Sequence, residues 1–516
     1  MDKSIFLLLC APLMPMAARA AKPVLGSDQT KPNIIFFMVD DMGWQDSSEP
    51  FWQDTTYLNS SVYHTPNMER LANCGVKFTR AYASPVSSPS RVSLMTGMHP
   101  AAHRVTNWTL HPEKSTDMPS DRLNFPLWNW NGLQPMKGVG QAVAATTLPM
   151  LLRQAGYHTI HVGKAHFGSI GTPGENPLNL GFDVNIAGHA AGGLASYLGE
   201  DNFGNKADAS KQSPFAVPGL EKYWGQDIFV TEALTIEALH ALDSARTLNK
   251  PFYLYMSHYA VHVPLDKDKR YFQKYIDAGL SDSQASYAAL IEGMDKSLGD
   301  LMDYLQESGL WDNTVLIFMS DNGGLSTAGR SGKMNFPLNS GKGSAYEGGV
   351  RVPLIISTPE VRSEALCDTP VDICDMLPTI MNFAGQENYK TSQKLNGLSI
   401  VPLLKHESVQ RFNRSLYWHF PNKWDAQGPG IGTFSSILRD KWKLIYFYEN
   451  SRTELYNLDE DIFEVVNQAG NPSVAPVRKQ LARDLTRFLK RTKAQMPTYK
   501  NGEVCNYPSG QRAKNR

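Results

Sequence analysis

The sequence predicts an α/β protein: a large mixed, mostly parallel sheet sandwiched by helices, with a smaller C-terminal α+β subdomain. Three observations carry this. Short apolar runs, β-branched or aromatic, recur along the chain, and most of them end in polar residues. Helical patterns lie between them. Near residue 386 the composition changes, and a hairpin pattern followed by a charged helix takes over. Short runs apolar throughout are strands buried on both faces. Strands alternating with helices imply a mostly parallel sheet.

Taken in order, "NIIFFMV" from Asn33 runs into Asp40 and Asp41. "HTIHVG" from His158 runs into Lys164 and His166. "PFYLYMS" from Pro251 runs into His258 and His262. "TVLIFMS" from Thr314 runs into Asp321 and Asn322, and "VPLIIS" from Val352 follows. "TLPMLLRQAG" and "YAALIEGMDKSLGDLMDYLQESG" supply helical patterns between these runs. "SSILRDKWKLIYFY" reads as a hairpin with Asp440 and Lys441 at its turn, and "ELYNLDEDIFEVVN" leads into the helical "VRKQLARDLTRFLKRTKAQ". The expected division is a leader over 1–20, a catalytic unit over 21–385 and the smaller unit over 386–516. In open α/β sheets ligands bind beyond the carboxyl ends of the strands, where the polar groups just named sit.

Composition narrows the class. The 516 residues are 42% hydrophobic and 19% charged, as a folded chain should be. Fifty basic residues balance fifty acidic ones. No overall field directs the chain to nucleic acid or to an anionic membrane, so any anion must be held by a local cluster. The start, "MDKSIFLLLCAPLMPMAARAAKP", has a lysine, a short apolar stretch and a small-residue "ARA" before Ala21. It reads as a secretory signal peptide, too short and too interrupted by proline to span a bilayer. That implies export across the inner membrane to the periplasm, with lipoprotein attachment through Cys10 as the alternative. No later stretch is apolar enough to span. Cys74, Cys367, Cys374 and Cys505 are too few and too scattered for a disulfide scaffold or a zinc cluster. A Cys367–Cys374 pair and free thiols both stay open.

"VDDMG" and "MSDNGG" place adjacent oxygen-bearing side chains just past buried strands. One such pair is an ordinary cap or turn. Two of them offer three carboxylates and an amide to one hard cation, Ca²⁺ or Mg²⁺ rather than Zn²⁺. Lys164, His166, His258, His262 and Lys342 are each unremarkable singly, although glycines around Lys342 permit close backbone approach to a ligand. In "AYASPVSSPSRVSLMTG", Ser87 lies just ahead of a helical start, where an anion is favoured. Arg91, one turn along, can offer a fork of donors to a tetrahedral oxyanion.

Together these residues resemble the type I sulfatases of the alkaline phosphatase superfamily. The resemblance runs from about Asn33 to about Asn467. It rests on Ser87-Ser88-Pro89-Ser90-Arg91 with Thr96-Gly97, which is similar to the signature (Cys or Ser)-x-Pro-x-Arg, and on "GKGSAYEGGVRVP", similar to the second signature. "VDDMGW", "HVGKAHFG", "HVP", "SDNGG" and "ELYNLDED" fall in family order.

The resemblance implies that Ser87 is oxidised to formylglycine (3-oxoalanine) by a sulfatase-maturating enzyme. It implies Ca²⁺ held by Asp40, Asp41, Asp321, Asn322 and residue 87. Lys164 and Lys342 would hold sulfate oxygens beside Arg91. His262 would protonate the departing alcohol, and His166 would take a proton from residue 87, with His258 structural. The expected substrate is a sulfated carbohydrate, with galactose or N-acetylgalactosamine favoured and the sulfate position open. His189, in a Gly-rich loop, is the candidate for reading a sugar hydroxyl. The Trp-rich "NWTL" and "FPLWNWNGLQP" are candidates for stacking on sugar, around Trp128 and Trp130, or for anchoring loops. "FPNKWDAQGPGIG" of the smaller unit is expected to close over the pocket. The competing readings are a phosphatase or phosphonate hydrolase of the same superfamily and a catalytically inactive glycan-binding protein.

Overall fold

A computed structural model describes residues 31–53, 62–326, 334–405 and 414–513. The signal-peptide reading of residues 1–20, Cys10 included, lies outside them.

The main sheet has nine strands. Its spatial order is Ala365–Cys367, Val76–Tyr82, Arg351–Ser357, Thr314–Ser320, Asn33–Val39, Phe252–Ser257, His158–Gly163 and Val184–Ile186, with Val371–Asp372 also pairing Val76–Tyr82. Arg351–Ser357 runs antiparallel to both neighbours; the remaining pairings are parallel. The large, mostly parallel sheet expected from the apolar runs is therefore present. Val76–Tyr82 escaped the reading because Lys77, Thr79 and Arg80 break its apolar pattern.

Strand alternation sorts the core into two layers. Ile35, Phe37, Val39, Leu316 and Phe318 face one way, against the helices Pro66–Ala72, Val230–Arg246 and Asp282–Glu307. Ile34, Phe36, Met38, Ile317 and Met319 face the other, against Ser87–Thr96, Leu148–Gln154 and Met376–Phe383. Past residue 386, Ile400, Leu403 and Leu404 still pack in this second layer. Among the described residues no helix is long and apolar enough to cross a membrane.

A second, four-stranded antiparallel sheet follows: Ser415–Phe420, Phe434–Arg439, Trp442–Phe447 and Arg452–Asn457. Asp440, at the expected turn, takes a left-handed φ of 53°. One face of this sheet, with Trp418, Phe434 and Ile445, packs on Tyr82, Val86 and Val350 of the main body. The other, with Ile437, Leu444 and Leu455, is covered by the helix Ala475–Arg491. The possible Cys367–Cys374 bridge is ruled out: both are free thiols, and that of Cys374 donates to the Met98 carbonyl at 3.2 Å.

A buried polar joint ties the two sheets together. Lys443 Nζ lies 2.8 Å from Glu347 Oε1 and 3.1 Å from Glu464 Oε1, with all three side chains fully buried. Tyr82 donates to Glu347 at 2.9 Å, and Arg351 lies 3.3 Å from it. Burial is the main cause that raises the Glu464 carboxyl to about 8, against the pull of Lys443. That carboxyl binds its proton more tightly folded than unfolded. Its contribution is complete below its ordinary value and is lost as pH rises toward 8. Removing one partner of a buried ion pair costs about 3–5 kcal/mol, so Lys443→Ala should lose stability on that scale in denaturant unfolding. Glu464→Gln should be near neutral at pH 5 and gain on the wild type as pH approaches 8. An unchanged difference between pH 5 and 8 would show that Glu464 does not titrate in this range.

Candidate active site

Parallel strands bring their carboxyl ends to one edge, and the side chains that follow them meet there. Asp40 and Asp41 follow Asn33–Val39, Asp321 and Asn322 follow Thr314–Ser320, and Lys164 and His166 follow His158–Gly163. His262 follows Phe252–Ser257. Ser87 follows Val76–Tyr82 and is the first residue of the helix Ser87–Thr96, all of it buried. Lys342 reaches the same edge because it precedes Arg351–Ser357, which runs the other way.

Ser87 Oγ is 3.2 Å from Asp40 Oδ1, 3.1 Å from Asn322 Oδ1 and 3.2 Å from Lys164 Nζ. Carboxylate oxygens of Asp40, Asp41 and Asp321 all lie within 4.8 Å of one another, fully buried. Each carboxylate has a cation: Lys164 Nζ is 2.5 Å from Asp40, Lys342 Nζ 2.6 Å from Asp41, and Arg91 2.8 Å from Asp321. Asn322 donates to Asp41 Oδ1 at 2.7 Å.

The local electrostatics follow from burial and sign. Burial, then Asp321, raises the Asp40 carboxyl to about 7, with Lys164 opposing. Burial lowers Lys164 to about 8 although Asp40 pulls it up. Asp321 is also buried, yet Arg91 and Lys164 together hold it below its ordinary value. Lys342 goes up, because Asp41, Asp40 and Asp321 outweigh its burial.

Arg91 sits within the cluster, its Nη2 3.9 Å from Asp40 Oδ1. Its guanidinium is wholly buried and closes on Asp321 through Nε at 2.9 Å and Nη2 at 2.8 Å. Nη1 donates to Ser257 Oγ at 2.6 Å and to the Lys164 carbonyl at 3.2 Å. Arg91 holds Asp321 and does not line the cavity.

The imidazoles can be assigned by their acceptor partners. His166 Nε2 lies 2.9 Å from the Thr109 carbonyl, which only accepts, so Nε2 carries the hydrogen. Its Nδ1 is buried with no hydrogen-bond partner and is the bare acceptor. A Cβ at Gly192 would sit 2.1 Å from the His166 ring, so glycine is required there. His262 Nδ1 faces the Val263 carbonyl at 2.7 Å, leaving Nε2 bare, 3.8 Å from Asp41 Oδ2. Burial, then Lys342, lowers His262 to about 3. His258 is buried against Phe37, with Nε2 2.9 Å from Ser297 Oγ, away from the site.

A cavity of about 320 Å³ opens over Ser87, His166, His262 and Lys342. Its walls include Trp108, Phe215, Val263, Leu325, Trp424 and Asp425. Trp108 belongs to the expected "NWTL" segment, and Trp424 and Asp425 to the expected "FPNKWDAQGPGIG" closure. Phe215 carried no signal in the sequence, because a lone aromatic in a loop has no periodicity to mark it.

Two other candidate groups lie outside the cavity walls. Trp128 is fully buried, its Nε1 donating to Ser115 and Asp117 at 2.8 and 2.9 Å, and Trp130 packs edge-on against it. Both anchor a loop and line no part of the cavity. The His189 imidazole is enclosed near Tyr259 and is absent from the walls; its carbonyl instead accepts from the His166 backbone at 3.1 Å.

The chain is similar to known proteins at several levels. A family model described as Sulfatase matches residues 32–386, and one described as N-sulphoglucosamine sulphohydrolase, C-terminal, matches 341–491. A protein named Sulfatase from Formosa agariphila is 29% identical over 502 residues, covering 87% of this chain and 88% of its own. The N-acetylgalactosamine-6-sulfatase of Homo sapiens is 27% identical over 434 residues, covering 78% and 74%. The structure of Ps i-CgsB in complex with k-i-k-neocarrahexaose has a TM-score of 0.69 at 26% identity, over 89% of this chain and 93% of that one. The phosphonate monoester hydrolase of Agrobacterium radiobacter shares the fold, with a TM-score of 0.60 at 18% identity over 89% and 96%. These neighbours have the alkaline phosphatase fold. The Sulfatase match over residues 32–386 takes in every charged side chain of the cluster around Ser87, and the chain belongs to the sulfatase family of sulfuric ester hydrolases.

Proposed function

We propose that this sulfatase removes sulfate from the end of a sulfated glycan, through a formylglycine made from Ser87. The observation that carries the reading is the position of Ser87 Oγ: among the buried carboxylates, beside Lys164, under an aromatic-walled cavity. A relative named N-acetylgalactosamine-6-sulfatase, and a solved neighbour in complex with k-i-k-neocarrahexaose, support a carbohydrate substrate. Galactose or N-acetylgalactosamine is the sugar we favour. Trp108 and Trp424, amphipathic and flat, suit the apolar face of a sugar ring.

The donor set fits a hard divalent cation. Asp40, Asp41, Asp321 and Asn322 present oxygen atoms only, and their carboxylates converge within one ion's reach. They would hold Ca²⁺, which when bound offsets negative charge on residue 87 and on the sulfate. The oxidised residue 87 supplies a hydrated aldehyde, whose two hydroxyls allow sulfate to be expelled after transfer. Plain serine has only one.

The remaining steps belong to ordinary side chains. Lys342 and Lys164 are placed to hold sulfate oxygens, each a point charge already inside the cluster. His166, with its bare Nδ1, is the candidate to accept a proton from residue 87, against burial and Lys164, which hold it well below its ordinary value. His262 must take a proton at Nε2 before it can give one to the leaving alcohol. Burial and Lys342 oppose that in the resting site, whereas the negative charge of a bound sulfate ester and the nearby Asp41 favour it. Oxidation of Ser87 by a sulfatase-maturating enzyme during biogenesis, and export to the periplasm, complete the reading.

Two outcomes test it. Protein made with a maturating enzyme should carry residue 87 two hydrogens lighter than serine by peptide mass spectrometry. Full activity from unmodified Ser87 would overturn the formylglycine. A general acid contributes about 10²–10⁴-fold, so His262→Ala should lose that much kcat/KM on a sugar sulfate. On nitrophenyl sulfate, whose phenol leaves without help, the loss should be far smaller. Equal losses would remove His262 from the acid role.

A further inference from the structure

The helix Ala475–Arg491 presents a charge pattern that the fold does not need. Its apolar face, with Leu481, Leu485, Phe488 and Leu489, is buried on the second sheet. Its exposed face carries Lys479, Arg483, Arg487 and Lys490, continued by Arg491 and Lys493 just beyond. Steps of four, four and three residues keep the first four within one 80° arc, at 100° per residue. They span roughly 16 Å along the axis, at about 1.5 Å per residue.

The helix dipole accounts for Lys490 and Arg491, which lie in the last turn. It does not account for Lys479 in the first half of the helix, where a cation is disfavoured and where the first turn has no acidic residue. Asp484, the helix's acid, is buried and held by Arg439 and Arg487, each at 2.8 Å. Among the described residues no ion pair engages Lys479, Arg483, Lys490, Arg491 or Lys493. The chain as a whole has equal numbers of acidic and basic residues, so this is a local concentration of one sign. Beside it lies a groove of about 510 Å³, lined by Arg478, Lys479, Arg483, Ser509 and Gln511.

We infer that this face is a second binding surface, separate from the catalytic cavity, for a sulfated polysaccharide chain. A row of cations along a rigid helix matches a polymer with regularly spaced anions, and binding would release the polymer's counterions. Membrane insertion is not available to the helix, because its apolar face is already buried in the protein. Polysulfate is the polyanion of choice because the same chain is a sulfatase; to that extent the inference rests on the glycan reading above. The surface lies on the side of the second sheet opposite the main body, so it would hold polymer without blocking the cavity.

The test compares the wild type with a Lys479→Gln, Arg483→Gln, Lys490→Gln triple variant, using dextran sulfate as the probe. The wild type should bind dextran sulfate and not neutral dextran, with an affinity that falls steeply with salt. At low salt the triple variant should bind at least tenfold more weakly. Its log–log salt slope should be shallower by about 2, at roughly 0.7–0.9 per cation removed. Its melting temperature and its rate on nitrophenyl sulfate should match the wild type. Equal binding by the two proteins, or equal wild-type binding to duplex DNA or anionic phosphatidylserine vesicles, would overturn the inference. Selective dextran sulfate binding by an enzyme that desulfates no sugar would support this surface while refuting the glycan reading of the cavity.

Discussion

Six charges of alternating sign, packed together out of reach of bulk solvent, set the terms for the rest of this protein. Asp40, Asp41 and Asp321 are each fully buried, and each is matched to one cation, Lys164, Lys342 or Arg91. Burying ions costs several kcal/mol apiece in practice, about what the pairing returns. A packed apolar core of the same volume would stabilise the fold as well or better, so the cluster is retained for what it can bind. Its geometry needs several strand ends and one helix start at a single edge. A mostly parallel sheet with one reversed strand provides that: the parallel strands deliver the carboxylates and Lys164, and the reversed one delivers Lys342.

That dependence explains what was legible in the sequence. Buried strands announce themselves as unbroken apolar runs, so the Asn33, His158, Phe252 and Thr314 strands, and the polar pairs after them, could be read directly. The direction in which a side chain leaves its element could not. Arg91 has the right identity and spacing to serve a ligand, but the turn of its helix sends it down to Asp321. His189 sits in the right loop, but its carbonyl, not its ring, reaches His166. Trp128 and Trp130 illustrate the same limit: sequence counts aromatic residues but does not say which are anchors. Val76–Tyr82 was missed for the opposite reason, because Lys77 pairs with the buried Glu49 and so disguises an interior strand as a surface one.

The cavity walls were the least legible part because they are assembled from distant segments. Trp108, Phe215, Leu325 and Trp424 share no local pattern. The second sheet is what makes their assembly possible. Trp424 follows its first strand and packs on Gly343, where a Cβ would lie 2.2 Å from the indole. The adjacent Lys342 has its ammonium 5.8 Å from that ring. The Trp424 wall of the cavity and the loop that carries Lys342 are therefore one packed unit, and a change in either moves the other. The Lys443–Glu347–Glu464 joint fixes the same loop from behind, since Glu347 lies only five residues beyond Lys342.

On the glycan reading proposed above, selectivity for a monoester end would divide between two kinds of force. Inside, every carboxylate already has a cation, so the protein charges of the cluster sum to zero. A divalent cation, if held there as proposed, would make that sum positive and suit it to one sulfate. The gain from such a site is large and short-ranged, because water is excluded. Above the sulfate the walls are mainly aromatic and apolar, with Asp425 at the same cavity. An acid there repels a second anion on the sugar while leaving its hydroxyls hydrogen-bond partners. On that reading, a ring against Trp108 and Trp424 would best be uncharged apart from the ester under attack, and charge elsewhere on the polymer would be met by a different part of the surface.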